Sequence, residues 1–301
     1  MLVTCIKFDD SHSLLWVGDS RGYLTSYTGS SLSMYTSVKA HNEPILKIIN
    51  HKKGVLSLSF GSIRLGTSEG VTLFNIHSEE LKGLNTMSYT SNTQTELLVA
   101  GDKDATGSRI FKVDTVNHCI SGSFHYPHTV VMMETNLKYI ILGRSDGFID
   151  IMDPKTNNIL KTFKGHSSGI SDISVKDNNL LTSGFSVKKE QFIPDTFVNS
   201  FDLKSLTTLP PIPFPAGAAK VFHHPTMPNV ILISSSAGHM NFLDVKNPTR
   251  LNIYQAEIST YITAFDIATS GSFLAFVDGS HKLSLWSSKS NEPNSGFALF
   301  N

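Results

Sequence analysis

Residues Ile140–His166 read IILGRSDGFIDIMDPKTNNILKTFKGH, and the way short apolar runs alternate with turn residues in this stretch decides the fold. Ile140, Ile141 and Leu142 predict a short strand. Gly143 to Gly147 predict a tight polar turn, and Phe148 to Met152 a second, alternating strand. Asp153-Pro154 and Asn157-Asn158 mark the next turn. Ile159 to Phe163 predict a third strand, and Gly165-His166 close the unit. Short strands bounded by turn signals every several residues predict an all-β sandwich or barrel. A closing Gly-His, with an apolar–Asp pair at Met152-Asp153, narrows this to one blade of a β-propeller.

The rest of the chain repeats the unit with decay. VTCIKF, LLWVGD, YLTSYT and MYTSV make a first unit, and Ala40-His41 stands at the Gly-His position. PILKII, VLSLSF, SIRLGT and VTLFNI make the second, with an extra apolar run. LNTMSY, ELLVAG, RIFKVD and CISGSF make the third, and TVVMME precedes the opening stretch in the fourth. GISDISV, NLLTSG and FVNSFD belong to the fifth. AKVFHH, VILISSS, HMNFLD and LNIYQA form the sixth, and YITAFDI, FLAFVD and KLSLWS the seventh. Strand-ending positions Gly18, Gly66, Gly101, Gly143, Gly184, Ser235 and Asp278 recur at roughly 35 to 50 residues, the spacing of propeller blades. Val113-Asp114, Met152-Asp153, Phe201-Asp202, Leu243-Asp244 and Leu285-Trp286 stand where Trp-Asp ends the third strand of a WD40 blade. The apolar member packs between sheets, and the Asp is expected to accept backbone N–H groups in the next turn. The fold class is therefore all-β, a WD40-type β-propeller of seven blades over residues 1–287, with a C-terminal tail at 288–301.

Three segments break the repeat. FSVKKEQFIPDT (Phe185 to Thr196) is longer than the turn other units use there, and reads as a loop with a functional role. LPPIPFP (Leu209 to Pro215) lacks ladder donors, so it must be an edge or a surface strap. The seventh unit has three clear strands. Either Phe297 to Phe300 supplies its fourth and closes the ring, or the blade lacks it and Leu283, Leu285 and Trp286 flank an open edge. The tail is otherwise the start of a linker.

The chain has 301 residues, with 25 basic and 25 acidic side chains. A balanced chain has no global pull toward nucleic acid or anionic lipid. Cys5 and Cys119 lie far apart, form no metal knuckle and fit a reducing compartment. No apolar run approaches the ~18 residues of a membrane span, and residues 1–6 do not resemble a signal peptide. A cytoplasmic location is expected.

Candidate chemistry is sparse. Asp102, Asp104, Thr106 and Gly107 resemble the start of a calcium loop, but Val113 stands at the twelfth position where a bidentate Glu is needed, and a hairpin turn is preferred. His223-His224 are neighbours on a strand and point to opposite faces, which favours structural roles over metal binding. His41 and His166 are expected to hydrogen-bond within their blades. No P-loop, nucleophile elbow, zincin motif or catalytic carboxylate pair appears. Arg109 and Arg144 read as lone surface cations. Lys188, Lys189, Phe192 and Ile193 are the candidate partner contacts, because two charges and two exposed-looking apolar residues interrupt a regular blade. No catalytic, cofactor-binding or metal-binding residue is assigned.

LLWVGDSRGYLTSY, GVLSLS, LNTMSY, ILGRSDGFIDIMDP, FVNSFDLKSLTTLPPIPF and HPTMPNVILISSSAGHMNFLDVKNPT follow one another in this chain. Together they resemble the N-terminal WD40 domain of the catalytic subunits of Pan poly(A)-nuclease deadenylation complexes, over nearly the whole chain. The Pro-Pro strap and the long fifth-unit loop are its most specific parts. The resemblance implies a scaffold in poly(A)-tail shortening and mRNA decay, in cytoplasm and P-bodies. It also implies a pseudokinase-like regulatory subunit as partner, and poly(A)-binding protein on poly(A) messenger ribonucleoprotein. The nuclease domain of such subunits uses divalent metal, Mg, held by acidic residues. None of it is in this sequence, so no catalytic residue carries over, and direct RNA binding is expected to be weak and salt-dependent. The family's segment before the first blade is also missing here, so the chain is expected to be part of a longer protein. Two alternatives remain: a stand-alone WD40 adaptor of another complex, and a phosphoinositide-binding propeller, for which Gly143-Arg144 is the nearest motif.

Overall fold

The computed structural model describes residues 2–29, 31–104, 107–136 and 138–288, with the backbone alone at 102–104. Among them every helix or strand element is a β-strand, and the strands form seven antiparallel sheets of consecutive members. The first holds β1 (Val3–Phe8), β2 (Leu14–Asp19), β3 (Tyr23–Thr28) and β4 (Ser33–Lys39). The second holds β5 (Lys47–His51), β6 (Gly54–Leu58), β7 (Ser62–Gly66) and β8 (Thr72–His77). The third holds β9 (Leu84–Tyr89), β10 (Glu96–Asp104), β11 (Gly107–Asp114) and β12 (Cys119–Tyr126). The fourth holds β13 (Val130–Thr135), β14 (Ile140–Arg144), β15 (Phe148–Met152) and β16 (Ile159–Lys164). The fifth holds β17 (Gly169–Lys176), β18 (Asn179–Lys188), β20 (Phe197–Asp202) and β21 (Thr207–Pro213), with β19 (Gln191–Pro194) paired to β18 off the main path. The sixth holds β22 (Lys220–His223), β23 (Val230–Ser234), β24 (His239–Asp244) and β25 (Leu251–Gln255). The seventh holds β26 (Ile262–Ile267), β27 (Phe273–Asp278) and β28 (Leu283–Ser287). This is the blade pattern of a β-propeller.

Burial explains why the sequence read as it did. Second strands such as β2, β14 and β23 are buried on both faces, so LLWVGD, IILGR and VILIS are continuous apolar runs. Outer strands such as β12 and β25 bury at most one face and alternate. The Asp that ends a third strand accepts backbone N–H groups of the next turn. Asp114 takes Val116 and Asn117, Asp153 takes Lys155, Asp202 takes Lys204, and Asp244 takes Lys246 and Asn247.

The contacts divide the chain into two compact units, Met1–His77 with Phe222–Asn301, and Ser78–Val221. In each, the core lies between successive sheets. In the first unit Trp16, Leu24 and Ile45 pack the first sheet on the second. Phe242, Phe276 and Trp286 join the sixth and seventh. Ile6, Leu15, Ala275 and Val277 join the seventh to the first, with half-buried Leu283 and Leu285 against them. There Asp266 on β26 accepts the Lys7 ammonium at 2.9 Å and the Phe8 N–H at 2.7 Å from β1. In the second unit Ile110, Tyr126 and Met133 fill the space between third and fourth sheets, and Ile149, Phe163 and Phe201 that between fourth and fifth. Asp172 repeats the Asp266 device, accepting the Lys220 ammonium and the Val221 N–H.

Trp286 lies on β28, the end strand of the seventh sheet among the described residues, and its side chain is 9% exposed and edge-on to Phe276. Gly66 ends a third strand, whereas Gly18, Gly101, Gly143 and Gly184 lie on second strands. Asp102–Gly107 falls in a hairpin between β10 and β11, with Asp102 opposite Ser108; residues 105–106 lie outside the described residues. So do residues 289–301, including the closing strand expected at 297–300. The Pro-Pro segment is the outer strand β21, with a register shift between Val198 and Ser200 where Pro210 and Pro211 pass.

Candidate functional site

Phe185 to Thr196 is not a loop. β18 continues to Lys188, turns through Lys189 and Glu190, and returns as β19, with Phe185 opposite Pro194, Ser186 opposite Ile193, Val187 opposite Phe192 and Lys188 opposite Gln191. Lys189 and Glu190 both take left-handed backbone, φ 49° and 63°. That is the conformation of a two-residue type I′ turn, whose twist matches the flanking strands and which Asn-Gly usually supplies.

Directly opposite residues share a face. Phe185, Val187, Phe192 and Pro194 lie on one face, Ser186, Lys188, Gln191 and Ile193 on the other. Phe192 stands edge-on to Phe185 with ring centroids 5.2 Å apart, yet it is 73% exposed. Val187, Ile193 and, just beyond the hairpin, Phe197 are exposed as well. The structure thus brings Lys188, Lys189, Phe192 and Ile193 together on one projecting element, with Phe192 and Ile193 on opposite sides of it. Sequence reading missed Val187 and Phe197. The strand alternation of Phe185 and Val187 was the available signal, hidden by treating the segment as a loop.

The base of the hairpin is fixed. Asp195 follows β19, and its carboxylate accepts His166 Nδ1–H at 2.7 Å and the Ser186 hydroxyl at 2.9 Å. His166 Nε2 accepts the Thr182 hydroxyl at 3.0 Å. Ser168 Oγ accepts the Val187 N–H at 3.0 Å. Burial holds the His166 pKa below its ordinary value, against the pull of the Asp195 hydrogen bond. Thr182, His166 and Asp195 stand in the order of a hydroxyl–imidazole–carboxylate relay, but Thr182 is 0% exposed, so no substrate reaches it. The relay is a strut. A shallow depression of about 450 Å³ beside it is lined by Lys164, Ser167, Thr196, Phe197, Asn199 and Pro211 among others.

The other candidates are structural. His41 lies between Ser62 Oγ (2.6 Å from Nδ1) and Ser57 Oγ (2.7 Å from Nε2). Burial and the nearby Arg64 push its pKa down to about 4. His224 Nδ1 accepts the Thr226 and Met227 N–H groups and so ties down its turn. Arg144 is not a lone surface cation. Its side chain is 12% exposed, binds Asp146 through two nitrogens, reaches buried Asp150 at 3.5 Å and covers the Phe148 ring. Asp150 also accepts the Tyr126 hydroxyl from the neighbouring third sheet. Arg109 donates to Ser123 and lies over Phe111. Burial drives the Cys5 thiol up to about 12, so it is not a reactive thiolate. Among the described residues no three His, Cys, Asp or Glu side chains gather into a set able to hold a metal ion, and no helix is long and apolar enough to cross a membrane.

The model of the family described as PAN2 N-terminal matches residues 1–287. The PAN2-PAN3 deadenylation complex catalytic subunit PAN2 of Debaryomyces hansenii is 35% identical over 326 aligned residues, covering 96% of this chain and 28% of that protein. The subunit of the same name in Candida albicans is 30% identical, covering 95% of this chain and 27% of that protein. The chain therefore spans about a quarter of the length of the curated relatives it matches. A solved structure, the Neurospora crassa Pan2 WD40 domain, superposes with a TM-score of 0.90 at 26% identity, covering 98% of this chain and 91% of that one.

Proposed function

Because the chain belongs to the PAN2 N-terminal family, we propose that it is the non-catalytic interaction propeller of a deadenylation complex, positioning a poly(A)-shortening subunit among its partners. One observation carries the reading: a rigidly based hairpin projects an exposed phenylalanine and two lysines from an otherwise regular sheet. Aromatic side chains, phenylalanine among them, are enriched at protein interfaces. The partner is the pseudokinase-like regulatory subunit, the PAN3 of the complex for which the relatives are named. Poly(A)-binding protein on poly(A) messenger ribonucleoprotein is the second, in the cytoplasm and its P-bodies. The divalent metal, Mg, is what the resemblance implies for the nuclease part of such a subunit. Contact with poly(A) alone is weak and salt-dependent, because the balanced charge gives little phosphate neutralisation.

The test is co-purification of the tagged chain with the regulatory subunit. The Lys188→Ala, Lys189→Ala, Phe192→Ala triple variant is expected to keep its melting temperature and to recover much less partner. Undiminished recovery overturns the hairpin as the contact.

A further inference from the structure

At the opposite end of β18 from the hairpin, about 30 Å away along the strand at ~3.3 Å per residue, lies a different kind of surface. The turns joining first to second strands of the third, fourth and fifth sheets line a cleft of about 770 Å³. All of it belongs to the unit Ser78–Val221. Its walls are braced. Asn136 Nδ2 donates to the Asp177 carbonyl at 3.0 Å, tying the fourth-sheet turn to the fifth. Asn136 Oδ1 accepts the Lys138 and Tyr139 N–H groups at 2.9 and 2.8 Å, and the Thr135 hydroxyl donates to the Tyr89 carbonyl, tying fourth to third. A site held open in this way pays little ordering entropy on binding.

The lining has unused polar capacity. Asn92, Lys138 and Asn178 are exposed, and their side-chain polar groups have no partner among the described residues. Lys176 adds a second cation, and Asp177 is the sole acid in the lining. Carboxamides offer a donor and an acceptor together, which matches the peptide group, and ammonium groups match carboxylates. Single-stranded nucleic acid asks instead for aromatic platforms in a strongly basic groove. Here Tyr89 is the one aromatic residue of the described lining, and its hydroxyl is buried. We infer that this cleft binds an extended acidic peptide segment of a partner protein, with Asn92 and Asn178 holding its backbone and Lys138 its carboxylates. The site is separate from the hairpin and does not depend on the role proposed for it.

The experiment is fluorescence anisotropy of the full chain with three labelled probes: an octapeptide of alternating Glu and Ser, one of alternating Lys and Ser, and an oligoadenylate. The acidic peptide is expected to bind at least about tenfold more tightly than the basic one, and less tightly as salt rises. Lys138→Glu combined with Asn178→Asp is expected to weaken it about tenfold at unchanged melting temperature, and Asn92→Asp alone to weaken it less. Equal binding of both peptides, indifference to these substitutions, oligoadenylate displacing the acidic peptide from the cleft, or no binding of the acidic peptide up to about 1 mM each overturns the assignment.

Discussion

In the second sheet His41 reaches a serine on the second strand, 16 residues on, and another that opens the third strand, 21 residues on. In the fifth sheet His166 reaches a threonine at the same 16-residue spacing, but its other partner, Asp195, is 29 residues on, eight more. Those eight residues are the projecting hairpin. Both imidazoles do one task, joining the second strand to the chain entering the third. The second sheet does it with a plain turn and hydroxyls. The fifth interposes a hairpin and replaces the hydroxyl by a carboxylate, which fixes the proton on His166 Nδ1 and also holds Ser186 at the hairpin base. An insertion that only filled space would not need its base anchored. The anchoring ties the base of the hairpin to the sheet.

The comparison breaks most readily at the anchors. Asp195→Ala strips the acceptor from a His166 side chain that is 0% exposed. A buried donor left unpaired, with a charge-assisted bond lost, costs about 3 kcal/mol. Ser62→Ala leaves His41 its Ser57 bond and costs about 1 kcal/mol. Thermal unfolding is expected to show a drop for the first variant two to three times that for the second. Equal drops mean the carboxylate does no more than the serine.

Acid sharpens the contrast in the other direction. His41 titrates at about 4 in the folded chain and near 6.5 in the unfolded one. Between those values the unfolded state binds a proton that the folded state refuses, so stability falls as pH falls and the loss is complete below the folded value. From pH 7 to pH 5 this amounts to about 2 kcal/mol. Denaturant unfolding at the two pH values is expected to show a smaller difference for His41→Gln than for the unaltered chain. Parallel behaviour would mean that His41 is protonated in the folded state.

The same contrast explains what the sequence disclosed. Seven units were legible because second strands buried on both faces read as apolar runs, and because Asp114, Asp153, Asp202 and Asp244 mark turns with their own hydrogen bonds. The candidate residues were legible as an interruption, but their shape was not. A type I′ turn announces itself through Asn-Gly, and here Lys189-Glu190 adopts the same backbone without that signature. Arg144 read as solitary because Asp150, its buried partner, is recruited across the sheet and shared with Tyr126 from the next one.

The smallest expected effect decides what the hairpin is for. Phe192 meets Phe185 edge-on, and an aromatic pair of this kind contributes about 0.5–1.5 kcal/mol when it is shielded from water. With 73% of its surface exposed, Phe192 has little burial to lose, and Phe185 keeps its packing over Gly169, where a Cβ would lie 2.4 Å from the ring. Phe192→Ala is therefore expected to change folding stability by no more than about 0.5 kcal/mol, the range of an ordinary surface substitution. If the hairpin were a brace for the fifth sheet, its tip aromatic would be part of that brace and its truncation would cost stability as Asp195→Ala does. If it is a presented surface, the same truncation leaves the melting temperature in place and lowers partner recovery. Measuring both on one preparation separates the two, and a melting temperature that falls as far as for Asp195→Ala would return the hairpin to the framework.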